Sequence, residues 1–403
     1  MMELRWLGPL LDCSGYSSAG RGYLRACEAV GIRVRAKDRS RSIALKDKGM
    51  DDGILAMYER LSRNEVAPDC PTVQHQVPDM FYEDGKSRLS IGYTIFEMTR
   101  VPDQWVAPCD MMDVIWTGSE YSRQAFLNSG VRTPIEVLPH AIDMGLFSPE
   151  ARPWRISNRR GFAFLSVFDM TERKGWRDLL LAYWSAFKPG EDVCLVLKAY
   201  FGEFSKPARL DIVRRIDRYK SDLGFSRTPP ILVYGHDVPN KDMPGLYRSA
   251  DCYVGVSREG FGLSYCEAMA CGLPCIGPEV GGNRQFMTPE NSFLVKCCGE
   301  EPVAKEVVQM FPSFRGLTWA RYSWEHLASL MRKVFEDKEL REGIALRGMQ
   351  ETRDSLSYER IGNKIKSLLQ TEGQRDISPS TLSRTRTRTR SSKGIGLSHV
   401  PRN

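Results

Sequence analysis

The sequence predicts an α/β protein built from two open parallel sheets, each covered by helices, that face one another across a cleft. Three observations carry this expectation. Short apolar runs alternate with amphipathic stretches, as a parallel sheet wrapped in helices requires. The alternation stops at a polar bridge, residues 149–160, rich in turn formers and charge, and then resumes. The length of 403 residues also exceeds what a single core ordinarily supports.

Taken in order, residues 5–10 read as a first strand. The glycine-rich stretch Ser14-Gly-Tyr-Ser-Ser-Ala-Gly-Arg-Gly22 reads as a loop leading into a helix over 23–30, and residues 31–36 return as a strand, closing one βαβ unit. Further strands are expected at 71–77, 89–96, 114–118 and 135–138, with a helix at 121–128 between the last two. Beyond the bridge, strands are expected at 162–168, 193–199, 231–235, 252–256 and 274–276, and helices from about 324 to 369 finish the ordered chain. The resulting division is 1–155, 156–335, 336–370 for the closing helices and 371–403 for a disordered basic tail. No repeat of fixed period appears, which excludes solenoids and propellers.

Composition narrows the class. Apolar residues make up 42% and charged residues 27%, the balance of a globular enzyme. The strongest apolar stretch, 179–187, is too short to span a bilayer, and the opening residues lack the pattern of a secretory signal, so a cytoplasmic protein is expected. Eleven cysteines, an odd number without a C-x-x-C pair, suggest reduced thiols and no zinc site. Cys266, Cys271 and Cys275 read as small apolar filler, and no metal is assigned. Residues 371–403 hold seven Lys or Arg against two acids. The Arg-Thr run at 383–393 is too polar to fold alone, and its charge suits contact with an anionic membrane surface or nucleic acid, or plain solvation.

The chemistry concentrates in residues 257–276, where Glu259 and Glu267 flank a turn, Gly260-Phe-Gly-Leu263, that opens a helix. Gly260 and Gly262 let backbone amides come close to a bound group, and the helix start suits phosphate. Carboxylates beside a diphosphate would repel it, so they are expected to face neutral hydroxyls such as those of a sugar. The plainer reading is an acidic helix start that favours the macrodipole. Upstream, Arg173-Lys174-Gly175 follows a strand and presents two cations at its carboxyl end, either toward a diphosphate or to solvent.

Together, Glu259-Gly-Phe-Gly-Leu263 and Glu267-Ala-Met-Ala-Cys-Gly-Leu-Pro274 resemble the signature of the family-four retaining glycosyltransferases (glycosyl transferases group 1). The resemblance covers roughly residues 1–370 and is strongest over 231–294. It implies the GT-B fold, two Rossmann-like domains across a cleft, with a C-terminal helix crossing back to the first. It also implies a nucleotide-diphosphate sugar as donor substrate, no cofactor and no metal. Glu259 and Glu267 occupy the places that contact donor sugar and nucleotide ribose, and Lys174 matches the phosphate-binding lysine. Relatives commonly place the partner arginine several residues earlier, where this chain has Phe168 and Asp169, so Arg173 is the substitute to examine. Amides near Gly262 and Leu263 would add to the field on the diphosphate. The segment beginning at Gly235 is where relatives hold the base, largely through backbone, so base identity is not legible.

In the first domain, Glu97 stands at a cleft edge where many relatives have histidine. It either orients hydroxyls and accepts the acceptor's proton or pairs with Arg100. Gly15 and its loop would lie opposite the second-domain motifs. His75 reads as a core or cleft histidine, and Asp143 as a structural helix N-cap. The expected activity is transfer of a hexose-type sugar to a hydroxyl of a glycan, lipid-linked or small-molecule acceptor. A nucleotide-sugar epimerase, a DNA-modifying sugar transferase and a non-catalytic carbohydrate-binding relative share the architecture.

Overall fold

The computed structural model describes residues 1–40 and 50–375. The first domain contains β1 (Glu3–Gly8), α1 (Gly15–Ala29), β2 (Arg33–Asp38), α2 (Asp52–Ser62), β3 (Thr72–His75), β4 (Ser90–Tyr93), α3 (Val106–Asp110), β5 (Val114–Thr117), α4 (Glu120–Asn128) and β6 (Ile135–Val137). Its sheet is six-stranded and parallel, in the order β2-β1-β3-β4-β5-β6. The second domain contains β7 (Phe162–Asp169), α5 (Trp176–Ala186), β8 (Val193–Tyr200), α6 (Lys206–Asp222), β9 (Ile231–Tyr234), α7 (Met243–Arg248), β10 (Cys252–Val254), α8 (Leu263–Ala270), β11 (Cys275–Pro278) and β12 (Phe293–Val295). It too is six-stranded and parallel, in the order β12-β11-β10-β7-β8-β9. Central strands such as β8 are buried on both faces and so read as continuous apolar runs, whereas β2 at the sheet edge alternates exposed and buried residues.

The chain then forms β13 (Cys297–Pro302), α9 (Lys305–Met310), β14 (Thr318–Tyr322), α10 (Trp324–Glu336), α11 (Lys338–Leu356) and α12 (Tyr358–Arg375). The antiparallel β13–β14 hairpin was not expected, because Cys-Cys-Gly-Glu-Glu-Pro lacks an apolar alternation. Its stability comes from elsewhere: Val303 and Trp319 bury themselves in a cluster with Phe96 and Trp105 of the first domain. Helix α12 packs on α1, and a Cβ on Gly362 would lie 2.3 Å from the carbonyl oxygen of Ala26, so the crossing-back helix approaches its partner closely. It continues to Arg375, past the expected start of the tail at 371, because its buried face (Ile365, Leu368, Leu369) extends one more turn to Glu372. The Arg-Thr run at 383–393 lies outside the described residues.

Two expectations are corrected in the first domain. Helix α1 begins at Gly15, not at residue 23, with Ser14 capping it by accepting from the Ser17 amide. Gly22 serves packing: a Cβ there would sit 2.6 Å from the Ala141 carbonyl oxygen. Asp143 caps a turn, accepting from the Gly145 and Leu146 amides, and no helix follows. The bridge at 149–160 is pinned to the second domain, since the Trp154 amide donates to the Gly245 carbonyl at 3.0 Å and Ile156 is buried. All eleven cysteines are free thiols, and Cys266, Cys271 and Cys275 are wholly buried. Among the described residues no helix is long and apolar enough to cross a membrane.

Candidate active site

The carboxyl ends of both sheets open on an interdomain cleft of about 440 Å³. This is the size and position at which open α/β sheets take small ligands. From the second domain, β7 leads through a short turn to Arg173 and Lys174, and β10 leads to Glu259. Gly175, at φ +63°, ends that turn where a Cβ would meet the Val256 carbonyl oxygen at 2.6 Å, so only glycine lets the cations sit against β10. The residue's missing side chain thereby sets where Lys174 points.

Four charges converge. Lys174 Nζ is hydrogen-bonded to Glu259 Oε1, while Arg173 Nη1 lies 3.2 Å from Glu259 Oε2, 3.1 Å from Glu97 Oε1 and donates to the Arg258 carbonyl at 2.7 Å. Glu97 therefore pairs across the cleft with Arg173, not with Arg100, whose partner is Asp103. The four side chains are 15–26% exposed, so each charge needs the partner it has. Burial is the strongest single influence on every one of them. At Glu259 it is outweighed by Lys174 and Arg173, and the carboxyl falls below its ordinary value. At Glu97 burial prevails over Arg173, and the carboxyl is raised. Burial, reinforced by Arg173, lowers the Lys174 ammonium, whereas Glu97 and Glu259 overcome burial to raise Arg173. The cluster is thus a set of charges held under mutual constraint.

Glu267 lies on α8 and accepts from the Tyr247 hydroxyl at 2.7 Å. Burial pushes its carboxyl up to about 7, only partly countered by that hydrogen bond and by Arg21. Gly262, at φ +103°, precedes α8 without a side-chain cap, and Leu263 and Ser264 line the cleft at the helix start. Asp169, also lining the cleft, has a buried Oδ1 with no hydrogen-bond partner among the described residues.

Three expected site residues lie off the cleft lining. Gly260 is buried against the first domain: its carbonyl accepts from Ser119 Oγ at 2.6 Å and Ser122 Oγ at 3.2 Å, and a Cβ there would crowd Ile95 and the Phe96 backbone at 2.9–3.1 Å. Its close approach is to the other domain. Phe261 is fully buried between His140 (4.3 Å) and Phe286 (5.2 Å). Gly235 is buried beside Arg209, and the cleft is lined instead by its neighbours Asp237 and Val238. Gly15 does line the cleft, as the first residue of α1. His75 is buried among Trp6, Tyr16, Tyr23 and Tyr93, and burial holds its imidazole well below its ordinary value.

Sequence reasoning missed Arg21, Tyr16, Lys198 and Tyr247. Arg21 looked like part of a loop, but α1 carries it to the carbonyls of Leu10 and Asp12 at 2.8 and 2.9 Å. Lys198 is a lone cation in an apolar strand, and that mismatch was the available signal. Among the described residues there is no group of three His, Cys, Asp or Glu side chains able to hold a metal ion.

Residues 165–312 match the family model of the glycosyl transferases group 1. The GDP-mannose-dependent alpha-(1-6)-phosphatidylinositol monomannoside mannosyltransferase of Mycolicibacterium smegmatis is 26% identical over 185 residues, 42% of this chain and 45% of that protein. The mannosylfructose-phosphate synthase of Agrobacterium fabrum is 29% identical over 157 residues, 38% of this chain and 34% of that one. The chain thus spans less than half the length of these two curated relatives. In structure, Anabaena HepE, solved in complex with UDP and glucose, superposes with a TM-score of 0.61 at 14% identity over 92% of this chain and all of that one. The matched segment contains Arg173, Lys174, Glu259 and Glu267, and the superposition spans both sheets. The fold is accordingly GT-B, and within it residues 165–312 carry the match to the glycosyl transferases group 1.

Proposed function

We propose that the protein is a retaining, metal-independent glycosyltransferase that moves a hexose-type sugar from a nucleotide-diphosphate sugar to an acceptor hydroxyl. The observation that carries this reading is the convergence of Lys174, Arg173, Glu259 and Glu97 at the carboxyl ends of the facing sheets. A mannosyl or glucosyl donor is supported by the GDP-mannose dependence of the Mycolicibacterium smegmatis relative and by the bound UDP and glucose of the structural neighbour.

The ion pairs explain how the site would exchange partners. A diphosphate takes Lys174 and Arg173 from Glu259, and the released carboxylate accepts from hydroxyls of the donor sugar. Glu267 accepts from the ribose diol. The acceptor hydroxyl then attacks the anomeric carbon on the face from which the diphosphate departs. The carbon–oxygen bond to phosphate breaks, the new glycosidic bond forms, and the acceptor's proton passes to the leaving phosphate oxygen. Lys174, Arg173 and the amides at the start of α8 stabilise the negative charge that develops there. Glu97, tethered to Arg173, orients the acceptor hydroxyl from the first domain.

The test is a screen of UDP-, GDP- and ADP-sugars against the full chain by thermal shift, followed by product analysis of the anomeric configuration. Wild type should turn over one donor with retention, while Lys174→Met should lose on the order of 100- to 1000-fold in turnover and still bind nucleoside. A fully active Lys174→Met, or an inverted product, would refute the mechanism.

A further inference from the structure

Away from the carboxylate cluster, the same cleft is lined by a second cation and a second carboxylate. Lys198 stands near the end of β8, opposite Tyr234 of β9, and Asp237 follows three residues later in the loop after β9. Lys198 is 6% exposed in a strand otherwise made of apolar and aromatic residues. Its ammonium lies 4.8 Å from the ring centroid of Phe204, which is stacked on Tyr200 at 4.7 Å, and all four residues line the cleft. Burial lowers Lys198 to about 8, with Asp237 opposing the drop. This part of the cleft wall thus offers a bound ring a buried cation, a carboxylate and a flat aromatic pair.

Strand order fixes its distance from the chemistry. Glu259 follows β10 and Asp237 follows β9, and in the sheet these strands are separated by β7 and β8. Three interstrand steps of about 4.8 Å put roughly 14 Å between the ends of those two strands. That is room for a diphosphate, carried by Arg173 and Lys174 after β7, and a ribose. The base of a nucleotide sugar therefore falls at Lys198 and Asp237.

We propose that Lys198 and Asp237 select guanine, Asp237 accepting from the N1–H and 2-amino groups and Lys198 donating to O6; this rests on the nucleotide-sugar reading above. Guanine alone among the common bases presents two adjacent N–H donors that fill both carboxylate oxygens, with an acceptor on the same edge for the ammonium. Adenine offers one amino group, and uracil a single N–H flanked by carbonyl oxygens that a carboxylate repels. The aromatic pair supplies a stacking face for the ring.

The experiment is calorimetric titration of the full chain with GDP, inosine diphosphate, xanthosine diphosphate, UDP and ADP, for wild type and Asp237→Asn. Wild type should bind GDP on the order of 10- to 100-fold more tightly than UDP, ADP and xanthosine diphosphate. Inosine diphosphate, lacking the 2-amino group, should fall between. In Asp237→Asn the amide can donate to the xanthine 2-carbonyl, so preference should shift from GDP to xanthosine diphosphate, a gain that a misfolded variant cannot mimic. UDP or ADP bound by wild type as tightly as GDP, or a GDP preference that survives Asp237→Asn, would overturn the proposal while leaving the donor reading standing. Failure of every nucleoside diphosphate to bind wild type would overturn the donor reading and, with it, this one.

Discussion

Glu267 is buried against the preference of its charged form for water, and Glu267→Gln should expose that as a pH-dependent gain in stability. Burial raises the carboxyl from 4.5 to about 7 in the folded chain. Between those values the folded state binds more protons at this site than the unfolded state does. Stability therefore falls as pH rises through the window, and is fully retained only below it. The gap corresponds to roughly 3 kcal/mol as an upper limit, and to about 1–3 kcal/mol once partial solvent access is allowed for. The amide keeps the oxygen that accepts from Tyr247 but has no charge to bury. Wild type and variant should thus match near pH 4.5, and the variant should be more stable at pH 8. For an unfolding unit of about 180 residues the difference amounts to ~3–8 °C in Tm. Scanning calorimetry of both ligand-free proteins at the two pH values measures it directly. Equal melting temperatures at pH 8, or a less stable variant there, would show that the carboxyl is not buried against its preference.

Other perturbations test the scaffold around the site. Gly282→Ala would bring a Cβ within 2.0 Å of the Gly260 carbonyl oxygen, so the turn carrying Glu259 must shift, at a cost of about 2 kcal/mol or more by thermal unfolding and with clear loss of donor binding in titration. Ser119→Ala with Ser122→Ala removes both hydroxyl donors to the Gly260 carbonyl across the domain interface; a loss of about 1–3 kcal/mol and a rise in KM larger than the change in kcat are expected from unfolding and steady-state assays. Glu97→Gln should abolish an acid limb in the pH profile of kcat/KM that lies above the ordinary carboxylate value, since burial raises Glu97 and its ionised form is the stronger acceptor for a hydroxyl. An unchanged acid limb would remove Glu97 from the acceptor's vicinity.

How much of this was legible beforehand differs between fold and site. Strands β7 and β8 were read within a residue of their ends, because a strand buried on both faces is an unbroken apolar run. Helix α1 was misplaced by eight residues, because Gly22, which signals a turn locally, is there to let α1 touch residue 141. The β13–β14 hairpin left no local trace, since its apolar support, Trp319 among Phe96 and Trp105, comes from the other domain.

The sequence by itself determined the two-sheet architecture, the turn that carries Glu259, and the cations that follow β7, because periodicity and glycine placement are local properties. Only the tertiary structure decided that Arg173 answers Glu97 across the cleft, that Gly260 serves the domain contact, and that Lys198 and Asp237 line the same cleft. Each of those depends on groups far apart in the chain, or on neighbouring strands, whose interaction energy exists only once the two sheets have packed and water has been excluded between them.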